Sequence, residues 1–201
     1  MYHALSSSHN NNNIDLAMYI TKGENYDLWG FNNLKDEIKE AVANGNEATN
    51  LGTKDGLTLF HLDKGTRWSQ YVYLQRNRDK QIVGIISLNK KKERKIGYGV
   101  YAVYLKRGYR GRGLGTVLYL GAAHVLKKIH SSTCIGEMAV RTWRSLGHYH
   151  RLDMYQDPYA RNPKKVKYEW DTKYPIVNGK SIDQQSSYFQ FVITKTRTKK
   201  A

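Results

Sequence analysis

Between Tyr109 and Ala123 the chain reads YRGRGLGTVLYLGAA. Three glycines are interleaved with two arginines, directly ahead of an apolar run. Glycine admits positive φ and lets a ligand come close to the main chain. If the run that follows is helical, its first N–H groups lack intrahelical acceptors and carry partial positive charge. Such a junction is an anion seat suited to a pyrophosphate. Arg110 and Arg112 add planar donor forks that match phosphate. Spacing separates the known phosphate loops. A Walker A loop needs Gly-Lys-Ser/Thr, whereas Gly115 is followed directly by Thr116. A dinucleotide fingerprint needs a third glycine three places after the second, and that place holds Thr116 or Leu118. What remains is R-x-x-G-x-G, carried by Arg110, Gly113 and Gly115. A glycine-rich turn that only caps a helix, and an arginine-glycine patch for RNA, are the alternatives.

The elements around this junction must position it. Tyr98 to Leu105 (YGVYAVYL) leads into it and reads as a strand, rich in residues that fit a pleated surface. After it, Leu114, Leu118, Gly121, Ala122, Val125 and Ile129 fall on one helical face, with Lys127 and Lys128 near the C-terminus, where the macrodipole favours cations. Upstream, Gln70 to Arg76 and the nearly continuous apolar Gln81 to Leu88 read as strands joined by a turn at Asn77 to Lys80. Leu57 to Leu62 and Ile14 to Ile20 are further short strands, and Asn46 to Gly56 reads as loop. A helix is expected from Asn33 as its cap, with Leu34, Ile38, Ala41 and Val42 on one face and a stop at Gly45. Downstream, the sequence predicts a strand at Ser132 to Ile135 and a helix from Gly136 to Leu146 that stops at Gly147. An exposed basic loop follows over 155–167, then strands at Tyr168 to Trp170 and Ser187 to Thr194. Residues 1–13 (with SSSHNNNN) are expected to be a disordered polar segment and 195–201 a basic tail.

The chain has 201 residues, 40% of them hydrophobic, enough for one core and one domain. No run of about 18 apolar residues exists, so no transmembrane helix is readable, and the polar start has no apolar region of a signal peptide. The single cysteine, Cys134, excludes an intramolecular disulfide framework and multi-cysteine zinc sites. It is expected to be a small core residue. A cytoplasmic setting follows as the expectation. Charge is divided unevenly. Up to Leu88 there are 9 Lys and Arg against 10 Asp and Glu; from Asn89 on there are 24 against 7. A field of that kind attracts polyanions.

Arg110-x-x-Gly113-x-Gly115, between a Tyr/Val strand and an amphipathic helix, resembles motif A of the GNAT superfamily of N-acetyltransferases. The preceding three-strand meander is also similar to that family. The later family pattern, N-x-x-A-x-x-x-Y-x-x-x-G-F, is met in part: Ala139 and Gly147 match, Gly136 stands at the asparagine, Trp143 at the tyrosine and His148 at the phenylalanine. The resemblance covers about Gln70 to Met154, with Ser187 to Thr194 as a final strand. It implies an α/β (α+β) fold, GNAT-like, with a mixed, mostly antiparallel twisted sheet flanked by helices in a single domain over 14–194.

The resemblance also implies acetyl-coenzyme A as co-substrate and no metal. The diphosphate would lie on Gly111, Arg112, Gly113, Leu114, Gly115 and Thr116, beside Arg110. The pantetheine arm would pair with the main chain of Val103, Tyr104 and Leu105, where a strand amide polarises the thioester carbonyl. The acceptor amine must be neutral to attack, and the departing thiolate needs a proton. The family tyrosine often supplies that proton, and an indole at Trp143 cannot. His148, Tyr149, His150 and Tyr155 are nearby candidates, a histidine being suited to proton movement near pH 7. His148 and His150 could equally be surface residues alternating along a strand. Glu137 is a candidate base, although a carboxylate at a helix start also has a structural reason.

The surplus of positive charge brings a polyanionic acceptor into consideration, aminoacyl-tRNA or an acidic protein face. Tyrosines among the cations, such as Tyr98, Tyr109 and Tyr159, could stack on bases or simply be strand residues. Three functions therefore stand: an acetyl-CoA-dependent N-acetyltransferase; a catalytically inactive fold of that type that binds nucleic acid or protein; and an unrelated basic RNA-binding protein.

Overall fold

The computed structural model describes residues 24–63, 69–89, 96–131, 137–157, 160–171, 174–182 and 189–194. The strands expected over 14–20 and 132–135, with Cys134, and the segments 1–13, 90–95 and 195–201 lie outside the described residues.

The first helix, α1 (Glu24–Ala43), begins well ahead of Asn33, which is therefore in its interior and not its cap. Phe31, Ile38 and Ala41 form its buried stripe, while Val42 is exposed. Gly45 closes it at φ 85°, its N–H on the Val42 carbonyl at 3.0 Å. A hairpin follows where a loop was expected: β1 (Thr49–Lys54) and β2 (Leu57–Leu62). Nearly every β1 residue is exposed, so this edge strand has no apolar alternation to betray it. The available signal was Asp55-Gly56, both at positive φ, which is the dipeptide of a two-residue hairpin turn.

Strands β3 (Ser69–Arg76), β4 (Ile82–Asn89) and β5 (Tyr98–Leu105) continue the antiparallel meander within a residue or two of the expected limits. A single 3-10 turn, Arg107–Tyr109, leads to α2 (Leu114–Leu126). That helix ends earlier than expected because Lys127 turns left-handed at φ 67°, and Ile129 enters strand β6 (Lys128–His130) instead. Helix α3 (Glu137–Tyr149) runs through Gly147 rather than stopping there. The His150 N–H still reaches the Leu146 carbonyl at 2.8 Å, so His148 belongs to a last helical turn and not to a strand. The expected loop over 155–167 contains strand residues: β7 (Leu152–Gln156) and β8 (Lys164–Val166). A small sheet of β9 (Glu169–Trp170), β10 (Pro175–Val177) and β11 (Lys180–Ser181) precedes β12 (Phe189–Thr194).

Nine strands form one sheet in the order β1-β2-β3-β4-β5-β6-β12-β7-β8. All its ladders are antiparallel except β5 with β6. The result is a mixed, mostly antiparallel sheet flanked by helices. One face carries Tyr71, Tyr73, Ile85, Ala102 and Tyr104 and packs under α1. The other carries Val72, Leu74, Ile86, Leu88 and Val100 and packs against Leu118 and Ala122 of α2. Covered on both faces, β4 is buried along nearly its whole length, which accounts for its unbroken apolar run.

Candidate functional site

The turn from β5 into α2 has the geometry its glycines suggested. Gly111 and Gly113 lie at φ 73° and 72°, a region L side chains enter only at a cost of roughly 1–2 kcal/mol. Gly113 is the left-handed N-cap of α2 and, among the described residues, no side chain caps that helix. The first intrahelical bond is Val117 N–H to the Gly113 carbonyl, at 3.2 Å. The N–H groups of Leu114, Gly115 and Thr116 therefore precede the helical ladder, with no acidic side chain in that first turn. The loop is tied down from two sides. Arg110 Nε donates to the Leu105 carbonyl at 3.0 Å. Arg76, on β3, donates from Nη1 to the Tyr109 hydroxyl at 3.0 Å, while Arg112 sits 5.8 Å from the centre of the same ring. Asp79 in turn holds Arg76 through Nε, at 2.9 Å, and through Nη2. That pairing pulls the Asp79 carboxyl down to about 2, the Arg76 hydrogen bond being the largest cause, and raises the Arg76 guanidinium. Neither Arg76 nor Asp79 was singled out in the sequence, although opposite charges three residues apart across the turn read at Asn77 to Lys80 were a signal for their pairing.

Beside the loop the sheet opens. Strands β5 and β6 run parallel but pair only at Tyr98–Ile129 and Gly99–His130. A Cβ on Gly97 would lie 2.2 Å from the Lys128 carbonyl oxygen, so glycine is what lets the two strands meet there. Beyond Gly99, no described strand pairs with β5 on that side, and a fork opens towards the glycine loop. The Lys106 N–H reaches the Val83 carbonyl on β4 at 3.0 Å. Main-chain groups alternate sides along a strand. Those of Tyr104 therefore face β4, and those of Val103 and Leu105 face the fork. Opposite Ser87 and Leu88 the register slips, leaving Tyr101 as the extra residue, 41% exposed. Lys106, at the end of β5, is held below the usual lysine range, first by burial and then by the charges of Lys35 and Arg76.

Helix α3 reaches this region through Thr142, whose Oγ1 lies 3.7 Å from where a Cβ on Gly115 would be. Its neighbour Trp143 turns inward and is 1% exposed. The indole meets Tyr119 edge-on at 5.0 Å and stacks on Phe191 at 5.8 Å. It is a core residue, and burial raises the Tyr119 phenol well above its ordinary value. His148 is exposed in the last turn, about 9 Å along the axis from Thr142 at 1.5 Å per residue. Glu137 opens the same helix, about 8 Å to the other side of Thr142 by the same rise. The side chains of Glu137 and Tyr149 lie outside the described residues. His150 and Tyr155 are partly buried, the latter between Gln190 and Lys165 in the sheet. Among the described residues no cluster of His, Cys, Asp or Glu could hold a metal ion, and no helix is long and apolar enough to cross a membrane.

The family model described as Acetyltransferase (GNAT) family matches residues 48–153. No curated protein matches. Among solved structures, the ribosomal-protein-S5-alanine acetyltransferase of Vibrio fischeri is similar at 14% identity, over 64% of this chain and 61% of that one, with a TM-score of 0.35. This chain thus spans less than two thirds of that protein. A Bacillus subtilis acetyltransferase solved with CoA is 12% identical over 96% of this chain and 97% of that one, with a TM-score of 0.37. A diaminobutyrate acetyltransferase of Paenibacillus lautus, solved with L-2,4-diaminobutyric acid and coenzyme A, is 14% identical over 62% and 69%, with a TM-score of 0.35.

Proposed function

The chain belongs to the GNAT acetyltransferase family, and from that premise we propose that it transfers an acetyl group from acetyl-coenzyme A to an amine. The observation that carries this reading is the fork: a strand edge with no partner among the described strands, ending at a helix start that no described side chain caps. A long ligand with an amide-bearing arm and a diphosphate needs both at once, a main-chain edge for the arm and N–H groups for the phosphates. Val103 and Leu105 would supply the edge, on either side of Tyr104. Gly111, Gly113, Leu114, Gly115 and Thr116 would supply the amides, with Arg110 and Arg112 adding charge. When bound, the coenzyme contributes an activated acyl group. A fork-facing N–H of β5 then polarises its carbonyl in the manner of an oxyanion donor. His148, Tyr149 and Glu137, all on α3, are the groups we propose for proton movement to and from the acceptor and the leaving sulfur.

The acceptor proposed is an amine carried on a polyanion such as aminoacyl-tRNA, or on a protein, in the cytoplasm. Support comes from the 24 cationic against 7 acidic residues after Asn89, more than the phosphates of one coenzyme require. A second reading, a fold that binds coenzyme without turnover, is favoured by one observation. Trp143, where the family often has a tyrosine, is sealed in the core. Acetyl-CoA is incubated with the protein, total aminoacyl-tRNA and lysate protein; free thiol is followed and the products are weighed by mass spectrometry. Thiol release with an acetylated amine is the expected result. Coenzyme binding with no thiol release would favour the second reading.

A further inference from the structure

We infer that Lys106, together with Lys35 and Lys39, takes the 3′-phosphate of the coenzyme at the corner where β5 ends and the glycine loop begins. The inference rests on the acetyl-transfer reading above and adds three cations that the motif did not indicate.

Three separate segments bring positive charge to this corner. Helix α1 supplies Lys35 and Lys39, which follow Phe31 at successive turns and so share a flank with it. The end of β5 supplies Lys106, whose ammonium lies 5.8 Å from the centre of the Phe31 ring. Strand β3 supplies Arg76. The charges of Lys35, Arg76 and Lys39 all bear on Lys106, and Asp79 is the carboxylate that opposes them. Asp79 is itself engaged by Arg76. Lys35 Nζ donates to Asn32 Oδ1 at 3.0 Å and stands 3.7 Å from Asp36. The half-buried Lys106 ammonium has no hydrogen-bond acceptor among the described residues.

Burial and like charge both work against a cation at Lys106. Such a position costs stability in the empty protein, which is the mark of a site arranged for a ligand. A phosphate would supply an acceptor and the opposite charge at once.

The corner adjoins the diphosphate seat. The Tyr109 N–H reaches the Lys106 carbonyl at 2.8 Å through the single 3-10 turn. Arg76 reaches the Tyr109 hydroxyl at 3.0 Å, and Gly111 follows two residues later. In coenzyme A one ribose separates the 3′-phosphate from the diphosphate. A diphosphate on Gly111 to Thr116 therefore leaves the third phosphate one sugar away. Helix α2 contains neither lysine nor arginine to receive it. The α1 side offers three lysines. The α3 side offers Arg141, exposed beside Thr142, which serves as the control.

The test is calorimetric titration of the full chain with CoA and with 3′-dephospho-CoA at one ionic strength. Wild type should bind CoA about tenfold more tightly than dephospho-CoA, the size of a charged hydrogen bond. Lys106→Met keeps an unbranched stem on Phe31 and removes the charge. That variant should bind the two ligands within about twofold of each other, with dephospho-CoA held as by wild type and an unfolding midpoint no lower. Lys35→Met and Lys39→Met should each reduce the preference by about twofold to threefold, and Arg141→Met should leave it intact. Equal binding of the two ligands by wild type would overturn the inference. So would a preference that survives in Lys106→Met, or one that is lost in Arg141→Met. Weaker binding of dephospho-CoA by Lys106→Met, or a lower midpoint, would show that the residue holds the fold rather than the phosphate, and would overturn it too. A wild-type chain that binds neither ligand would instead sink the coenzyme reading itself.

Discussion

Tyr109 is gripped at both ends of its chemistry, its hydroxyl by Arg76 and its ring by Arg112. The phenol thus links the turn after β3 to the glycine loop. Tyr109→Phe removes the acceptor and keeps the ring, a change of order 1 kcal/mol. Calorimetric titration should show CoA affinity down by about threefold to fivefold, the size such a loss implies, and the unfolding midpoint should fall by about 2–4 °C for the same lost bond. Asp79 stands one bond further out. Its pKa is held at about 2 by Arg76, so its contribution is present above the unfolded value near 3.8 and fades as pH falls towards 2. The thermal midpoints of wild type and Asp79→Asn should therefore differ from pH 5 to 8, draw together below about pH 4 and converge only below about pH 2. A gap that persists undiminished well below pH 2 would show that Asp79 acts otherwise than through its charge.

At the level of elements, two helices carry separate tasks. The start of α2 needs a left-handed residue at Gly113, where nothing lies within 4 Å of the place a Cβ would take; the constraint there is conformational, not steric. Gly113→Val should cost roughly 1–2 kcal/mol in backbone strain and weaken CoA binding by about tenfold or more through misaimed N–H groups, read in the same titration. The middle of α3 belongs to the core. Trp143→Ala should lose about 3–5 kcal/mol in urea unfolding, and Trp143→Tyr should not raise turnover, since its phenol would stand among Tyr119 and Phe191. The sequence was informative where one periodicity dominated: β4 with its apolar run, β5 with its Tyr/Val pattern, and the strand–glycine–helix junction. It was silent where tertiary pairing decided. Edge strand β1 is exposed along nearly its whole length, β8 is three residues held by the β7 ladder, and the fork exists only because Gly97 admits β6.

Across the whole molecule, the one-sided charge is a property of the chain rather than of any single pocket. If a polyanion is the acceptor, retention on total tRNA should fall steeply with salt, with a log–log slope of several units. Retention indifferent to salt would remove tRNA from consideration and leave a protein amine. The coenzyme claim stands apart from that question, because it depends only on the fork and the glycine loop. Its most direct measurement is isothermal titration of the wild-type chain with acetyl-CoA and with CoA. One saturable site is expected for each, tighter than about 1 mM, an affinity worth more than about 4 kcal/mol. Heats that never saturate at that concentration, for either ligand, would contradict it.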